Sequence, residues 1–211
     1  MTAEQSNSFD HLLTTVDIIR HGEPVGGKMY RGHKDDPLSE KGWRQMRNAV
    51  GNFSSWDTIV SSPLIRCSEF AAEISTIKEK PLHLEERFKE IDWGIWEGCT
   101  TEYICRENPN ALLKFRAAPL EHKPANAESV LEFYTRVVAA WQDLIQAHKN
   151  RHVLLVAHAG ITRCIMCHIL DIPAVQMFRI YVSNAAVTRF EIVHTEDADY
   201  GRLIFHDGVP D

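Results

Sequence analysis

Val153-Leu154-Leu155-Val156-Ala157-His158-Ala159-Gly160 is the stretch on which the fold turns. Five apolar residues run without a polar break, the pattern of a parallel strand buried on both faces. The run stops at a histidine, and Gly160 leads into a helix expected over 161–170. There Ile161, Cys164, Ile165, His168 and Ile169 fall on one stripe. Upstream, Val130, Tyr134, Val137, Trp141 and Leu144 mark one side of a long helix between Glu128 and about Asn150. The same unit of strand, polar turn and helix recurs toward the N-terminus. Thr15–Arg20 reads as a strand ending at His21-Gly22, followed by a turn-rich loop from Glu23 to Leu38. Ser39 is placed to cap a helix reaching about Phe53. Thr58–Ser61 is a second strand, and Ser62-Pro63 supplies a capping residue and an N1 proline for a helix from Leu64 to about Lys78. Leu82–Leu84, 187–193 and 202–206 complete the strands. Glu90–Pro124 is the least regular region, with short helical pieces near 101–107 and 109–117. Strands alternating with helices around a buried central strand indicate an α/β sandwich.

The 211 residues fit one domain on a prior of roughly 150 residues per domain. We expect residues 1–14 to be a flexible tail and 15–211 a single domain carrying a lid-like insertion at about 99–127. Lys and Arg number 23 against 29 Asp and Glu, a net charge of −6. That balance speaks against a nucleic-acid partner, whose affinity would rest on phosphate neutralisation. No apolar run approaches the ~18 residues of a membrane span. Residues 1–14 show no apolar leader, so a cytoplasmic location without membrane attachment is expected.

Five cysteines, Cys67, Cys99, Cys105, Cys164 and Cys167, make an odd count that suits reduced thiols. Cys164-Ile165-Met166-Cys167-His168 matches the spacing of a haem attachment site. Its position on the apolar stripe of a helix favours core packing instead. Cys164 and Cys167 have no second half-site at zinc-ligand spacing either, so no metal is expected.

Ionisable residues gather at the carboxyl ends of the expected strands, where open α/β sheets bind ligands. Arg20-His21-Gly22-Glu23 follows the first strand, Ser61-Ser62-Pro63-Leu64-Ile65-Arg66 the second, and His158-Ala159-Gly160 the central one. Two of these turns open helices, whose free N–H groups suit an anion. With Arg20 and Arg66 added, the set makes a pocket for a phosphoryl group, which a guanidinium fork matches in shape. A neutral histidine fixed by an acceptor can attack phosphorus. A second, cationic histidine can stabilise the equatorial oxygens. Glu90, among the apolar and aromatic residues of Phe88–Gly98, is the candidate acid for the leaving group.

The order Arg20-His21-Gly22-Glu23, Ser62-Pro63-Leu64-Ile65-Arg66, Glu90-Ile91-Asp92-Trp93-Gly94-Ile95-Trp96-Glu97-Gly98 and His158-Ala159-Gly160 resembles the histidine phosphatase superfamily, which includes cofactor-dependent phosphoglycerate mutases. Gly32, Asp35–Gly42 and Glu128-Ser129 support the match, which spans about 15–193. The resemblance implies a three-layer α/β/α sandwich with a mostly parallel six-stranded sheet. It implies His21 as the nucleophile that becomes phosphohistidine, His158 as its partner, Arg20 and Arg66 as the phosphate clamp, and Glu90 as the acid and then the base. It implies no metal and no cofactor. Its partner would be a small phosphorylated metabolite.

The short segment between Glu90 and His158 favours hydrolysis over the mutase reaction. A phosphoglycerate mutase and an inactive phospho-ligand-binding relative are the alternatives. Residues 90–98 are similar to α-ribazole phosphatase-like members, which makes α-ribazole 5′-phosphate a candidate substrate. Specificity is expected from 24–36 and 99–127, with Arg31, Lys34, Arg106, Arg116 and Lys123 as candidates for a second anionic group. Trp93 and Trp96 are expected to pack in the core. No heptad seam announces an oligomer.

Overall fold

The computed structural model describes residues 13–210. Six strands form one sheet: β1 (Leu13–Arg20), β2 (Thr58–Ser61), β3 (Leu82–Leu84), β4 (His152–Ala157), β5 (Val187–His194) and β6 (Asp199–Gly208). The spatial order is β3-β2-β4-β1-β5-β6. β3, β2, β4 and β1 are mutually parallel, while β5 runs antiparallel to both β1 and β6. The helices are α1 (Glu40–Val50), α2 (Ile65–Lys78), α3 (Thr101–Glu107), α4 (Ala111–Ala117), α5 (Val130–Ala147) and α6 (Ala159–Ile169).

The pleat explains the layers. Successive residues of β4 point to opposite faces. Val153, Leu155 and Ala157 join the core built with α5 and α6, while Leu154 and Val156 join the one built with α1 and α2. All five are fully buried, which contributes about 1.5–3 kcal/mol for each larger side chain. The expected three-layer sandwich is therefore the fold found. Among the described residues no helix is long and apolar enough to cross a membrane.

Several boundaries differ from expectation, for local reasons. The tail expected over 1–14 lies outside the described residues as far as residue 12, and Leu13 and Thr14 are already paired in β1 with Val193 and Ile192. α1 stops at Val50 because Gly51 takes a positive φ of 48° and returns its N–H to Arg47. α2 opens one residue late, with Leu64 as an extended N-cap residue; the Ser62 hydroxyl, expected to cap, accepts from the N–H of Leu64 ahead of the helix rather than from one inside it. α6 begins at Ala159, two residues early, since His158 is itself the extended residue ahead of the helix. β6 is twice the expected length, because pairing along β5 holds residues that have no apolar pattern of their own.

A polar group sits inside the sheet. Asp17 of β1 is fully buried and accepts hydrogen bonds from Trp56 Nε1 at 2.8 Å and from Arg189 Nε and Nη2 at 2.8 and 3.1 Å, and it pairs with His152 Nε2 at 2.9 Å. Burial alone would raise its carboxyl, but these partners hold it below the usual carboxylate range.

Candidate active site

Three adjacent strands end at one level. Arg20 of β1 lies opposite Ala157 of β4, and Ser61 of β2 opposite Val156. The next residues, His21, His158 and Ser62, therefore leave the sheet side by side. The rings of His21 and His158 meet edge to face, centroids 5.3 Å apart. His21 Nδ1 lies 2.7 Å from the Gly22 carbonyl oxygen. A carbonyl only accepts, so Nδ1 carries the proton and the Nε2 lone pair is left free. His158 Nε2 pairs with Ser62 Oγ at 2.8 Å, and the same hydroxyl oxygen accepts from the Leu64 N–H at 3.3 Å.

Both histidines are held well below the ordinary value of 6.5. For His21 the largest cause is burial, followed by the charges of Arg20 and Arg66; for His158 it is burial, then Arg66 and His21. His21 is thus a neutral imidazole, as a nucleophile requires. His158 is held toward the neutral form too, chiefly by its burial and then by the charge of Arg66. Cys67 lies beneath, its Sγ 3.7 Å from His158 Nε2, and burial pushes its thiol up to about 12.

The guanidiniums are fixed by main-chain carbonyls. Arg20 Nη1 donates to Val182 O at 2.6 Å; Arg66 Nη1 and Nη2 donate to Lys34 O and Gly32 O at 2.9 and 2.7 Å. Arg66 has no exposed surface. Burial lowers Arg20 to about 10 and pulls Arg66 the same way. The Nε of each is buried without a protein acceptor. Buried donors of this kind are expensive unless something accepts from them, and two of them flanking a neutral imidazole fit a compact oxyanion.

Glu90 stands in the irregular segment before α3, nearly buried. Its Oε2 accepts from the Gly160 N–H at 3.0 Å, in the first turn of α6, and its Oε1 from Ile91 N–H at 3.0 Å. A Cβ on Gly160 would lie 2.0 Å from Glu90 Oε1, so only glycine lets the carboxyl approach the helix. Arg20, His21, Arg66, Glu90 and His158 are thus brought to one end of the sheet.

The candidate specificity residues fare differently. Arg31 and Lys34 both pair with Asp36, Lys123 donates to Ala127 O at 2.6 Å, and Arg106 pairs with Glu107 at 3.3 Å. Arg116 is engaged with Tyr30. Local partners therefore occupy each of them. Trp93 and Trp96 are buried in an aromatic cluster with Tyr30, Phe115 and Phe178, the packing role expected. Cys164 and Cys167 are buried in the core beside α5.

Three contributors had no role read from the sequence, although Glu97 stands in the motif at 90–98. Glu97 accepts from the N–H groups of Gly32, His33 and Lys34 at 2.9–3.1 Å, bracing the turn whose carbonyls hold Arg66. Arg163 donates Nε to Ile180 O at 2.8 Å, two residues from the carbonyl that holds Arg20, and its charge is felt at Arg20. Arg136 grips the backbone around Glu90. Each looks in sequence like a solvated charge; a charged residue beside an apolar stripe, as Arg136 is beside Phe133 and Val137, is the one signal available.

Comparison with known proteins gives the same answer. The family model of the histidine phosphatase superfamily (branch 1) matches residues 16–198. Phosphoserine phosphatase 1 of Hydrogenobacter thermophilus is 29% identical over 191 residues, 88% of each chain. The Bacillus subtilis phosphatase PhoE, described as uncharacterized, is 30% identical over 185 residues, 85% of this chain and 89% of its own. A mycobacterial glucosyl-3-phosphoglycerate phosphatase solved with VO3 superposes with a TM-score of 0.80 at 25% identity, covering 90% of this chain and 97% of its own. Strand-end histidines, a pair of buried guanidiniums and a family match over nearly the whole length converge: the chain belongs to the histidine phosphatase superfamily, and its chemistry is that of a phosphoric monoester hydrolase.

Proposed function

We propose that the chain is a metal-independent phosphomonoesterase that works through a phosphohistidine at His21. The observation that carries this reading is the neutral His21 ring, its Nδ1 proton fixed on Gly22 O and its Nε2 free, between two guanidiniums with unused Nε donors. Arg20 and Arg66 bind the phosphoryl oxygens. His21 Nε2 attacks phosphorus, the N–P bond forms and the ester P–O bond breaks. Glu90, in its acid form, gives its proton to the departing alkoxide. As carboxylate it then takes a proton from water, whose oxygen displaces His21 and releases phosphate. The pocket that keeps His158 neutral changes once a phosphoryl dianion offsets the arginine charges; His158 then donates to an equatorial oxygen.

The substrate in this reading is a small phosphorylated metabolite of the cytoplasm. The segment 99–127, folded as α3 and α4, serves as the lid over it. α-Ribazole 5′-phosphate is supported by the motif at 90–98, and phosphoserine by the named Hydrogenobacter relative.

The test is hydrolysis of p-nitrophenyl phosphate by wild type and His21→Ala in excess chelator. Turnover by the wild type and none by the variant supports the reading, and a panel headed by these two esters then ranks substrates. A chelator-sensitive activity, or an active His21→Ala protein, overturns it.

A further inference from the structure

Glu90 lies in a segment with no regular secondary structure, between a 3-10 turn at Glu86–Phe88 and another at Gly94–Trp96. A proton donor must be placed to within a fraction of an ångström, so something outside the segment has to fix it. The fixing group is Arg136, in the second turn of α5. Its Nε and Nη2 donate to the two carboxylate oxygens of Glu128 at 2.6 and 2.8 Å. Nη1 donates to Arg87 O at 2.7 Å and Lys89 O at 2.9 Å, and Nη2 to Glu90 O itself at 3.1 Å. A guanidinium has five N–H donors; here there are five acceptors, three of them carbonyls of Arg87, Lys89 and Glu90 in the main chain that carries the acid. Glu128 closes the far side, its N–H donating to Asp92 O at 3.0 Å. Arg136 also rests on the Phe133 ring at 4.7 Å, and Phe133 Cζ backs Gly160, the residue that binds the Glu90 carboxyl.

We infer that the Arg136–Glu128 pair is a positioning device for the proton donor. It holds the Glu90 main chain from one side while Gly160 holds the carboxyl from the other. This rests on the proposed role of Glu90 and adds to it the pair that sets its aim. A lysine cannot substitute, because three donors on one nitrogen cannot bridge a carboxylate and three carbonyls.

Leaving groups separate positioning from mere folding. p-Nitrophenolate departs with little need of a proton, whereas an alkoxide needs one. Turnover of p-nitrophenyl phosphate and of an alkyl ester, O-phosphoserine, is measured for wild type, Glu90→Gln, Arg136→Lys, Glu128→Gln and the Glu90→Gln/Arg136→Lys double variant. We expect Glu90→Gln to lower the alkyl-to-aryl ratio of kcat/KM, which excludes the later attack of water that both esters share, by about 10²-fold or more, the scale of general acid catalysis. Arg136→Lys, which keeps the charge, is expected to lower it about tenfold with KM little changed, a misplacement effect. Glu128→Gln should act in the same direction. On the Glu90→Gln background Arg136→Lys should lower the ratio no further. Equal losses on both esters, an unchanged ratio, or a further drop in the double variant overturns the inference. An unchanged ratio in Glu90→Gln itself removes Glu90 as the acid and the inference with it, while the His21→Ala result stands apart. Should Arg136→Lys not fold, Glu128→Gln decides alone.

Discussion

His21 and His158 are buried where a proton is unwelcome, and this makes them the residues through which pH acts on the molecule. Their folded pKa values lie below 6.5, whereas the unfolded chain titrates near the ordinary value. Below about 6.5 the unfolded state therefore binds protons that the folded state refuses. Stability is fullest above that value and is lost as pH falls toward the folded pKa values. Urea denaturation between pH 8 and 5 should show the decline, and His158→Gln should flatten it. A curve of unchanged slope in the variant would mean that other groups govern the acid limb. At this scale the sequence was partly legible: His21, His158, Arg20, Arg66 and Glu90 could be named because each stands directly after a strand or inside a distinctive motif. The lowered pKa of His158 could not, because it depends first on how deeply the fold buries the ring and then on the through-space charge of Arg66. Ser62 was readable only as a cap; that its hydroxyl faces His158 follows from β2 lying beside β4.

Among the elements, α6 is the one whose opening turn binds the acid. Gly160 would be a poor choice for helix stability, since alanine there is favoured by up to about 1 kcal/mol. The carboxyl of Glu90 occupies the space instead, at 2.0 Å from where a Cβ would stand. Gly160→Ala is expected to keep the fold, with little change in Tm, yet to lose about 10²-fold in kcat on alkyl phosphates as Glu90 is pushed off its position. Steady-state kinetics beside a thermal melt would check it; full activity would show the contact to be dispensable. Elements were legible where apolar periodicity was strong, as in β4 and α5, and less so at their ends. α1 was cut short by the geometry of Gly51 and β6 was extended by its partner, effects that no window of local sequence contains. α3 and α4 were found as short helical pieces, but the aromatic cluster joining Phe115 to Trp93 and Phe178 brings together residues from three separate segments.

For the whole molecule, the alternation of strands and helices carried the sandwich, while the strand order did not follow from it. Parallel pairing leaves no short turn to read, so nothing local says that β1 lies beside β4 rather than β2. That adjacency has a consequence for how the chain reaches its native state. β5 and β6 are consecutive and antiparallel, a hairpin that can close early. The ladder between β1 and β4, which sets His21 against His158, joins Leu13–Arg20 to His152–Ala157, segments far apart in the sequence. Its loop must close before any contact rewards it, which makes such pairing slow. Catalytic competence should therefore be among the last properties to return after dilution from urea, trailing the recovery of far-ultraviolet circular dichroism. Simultaneous recovery of both signals would indicate a single concerted barrier. The active site is in this sense a clock: it begins to turn over only when the two halves of the chain have met.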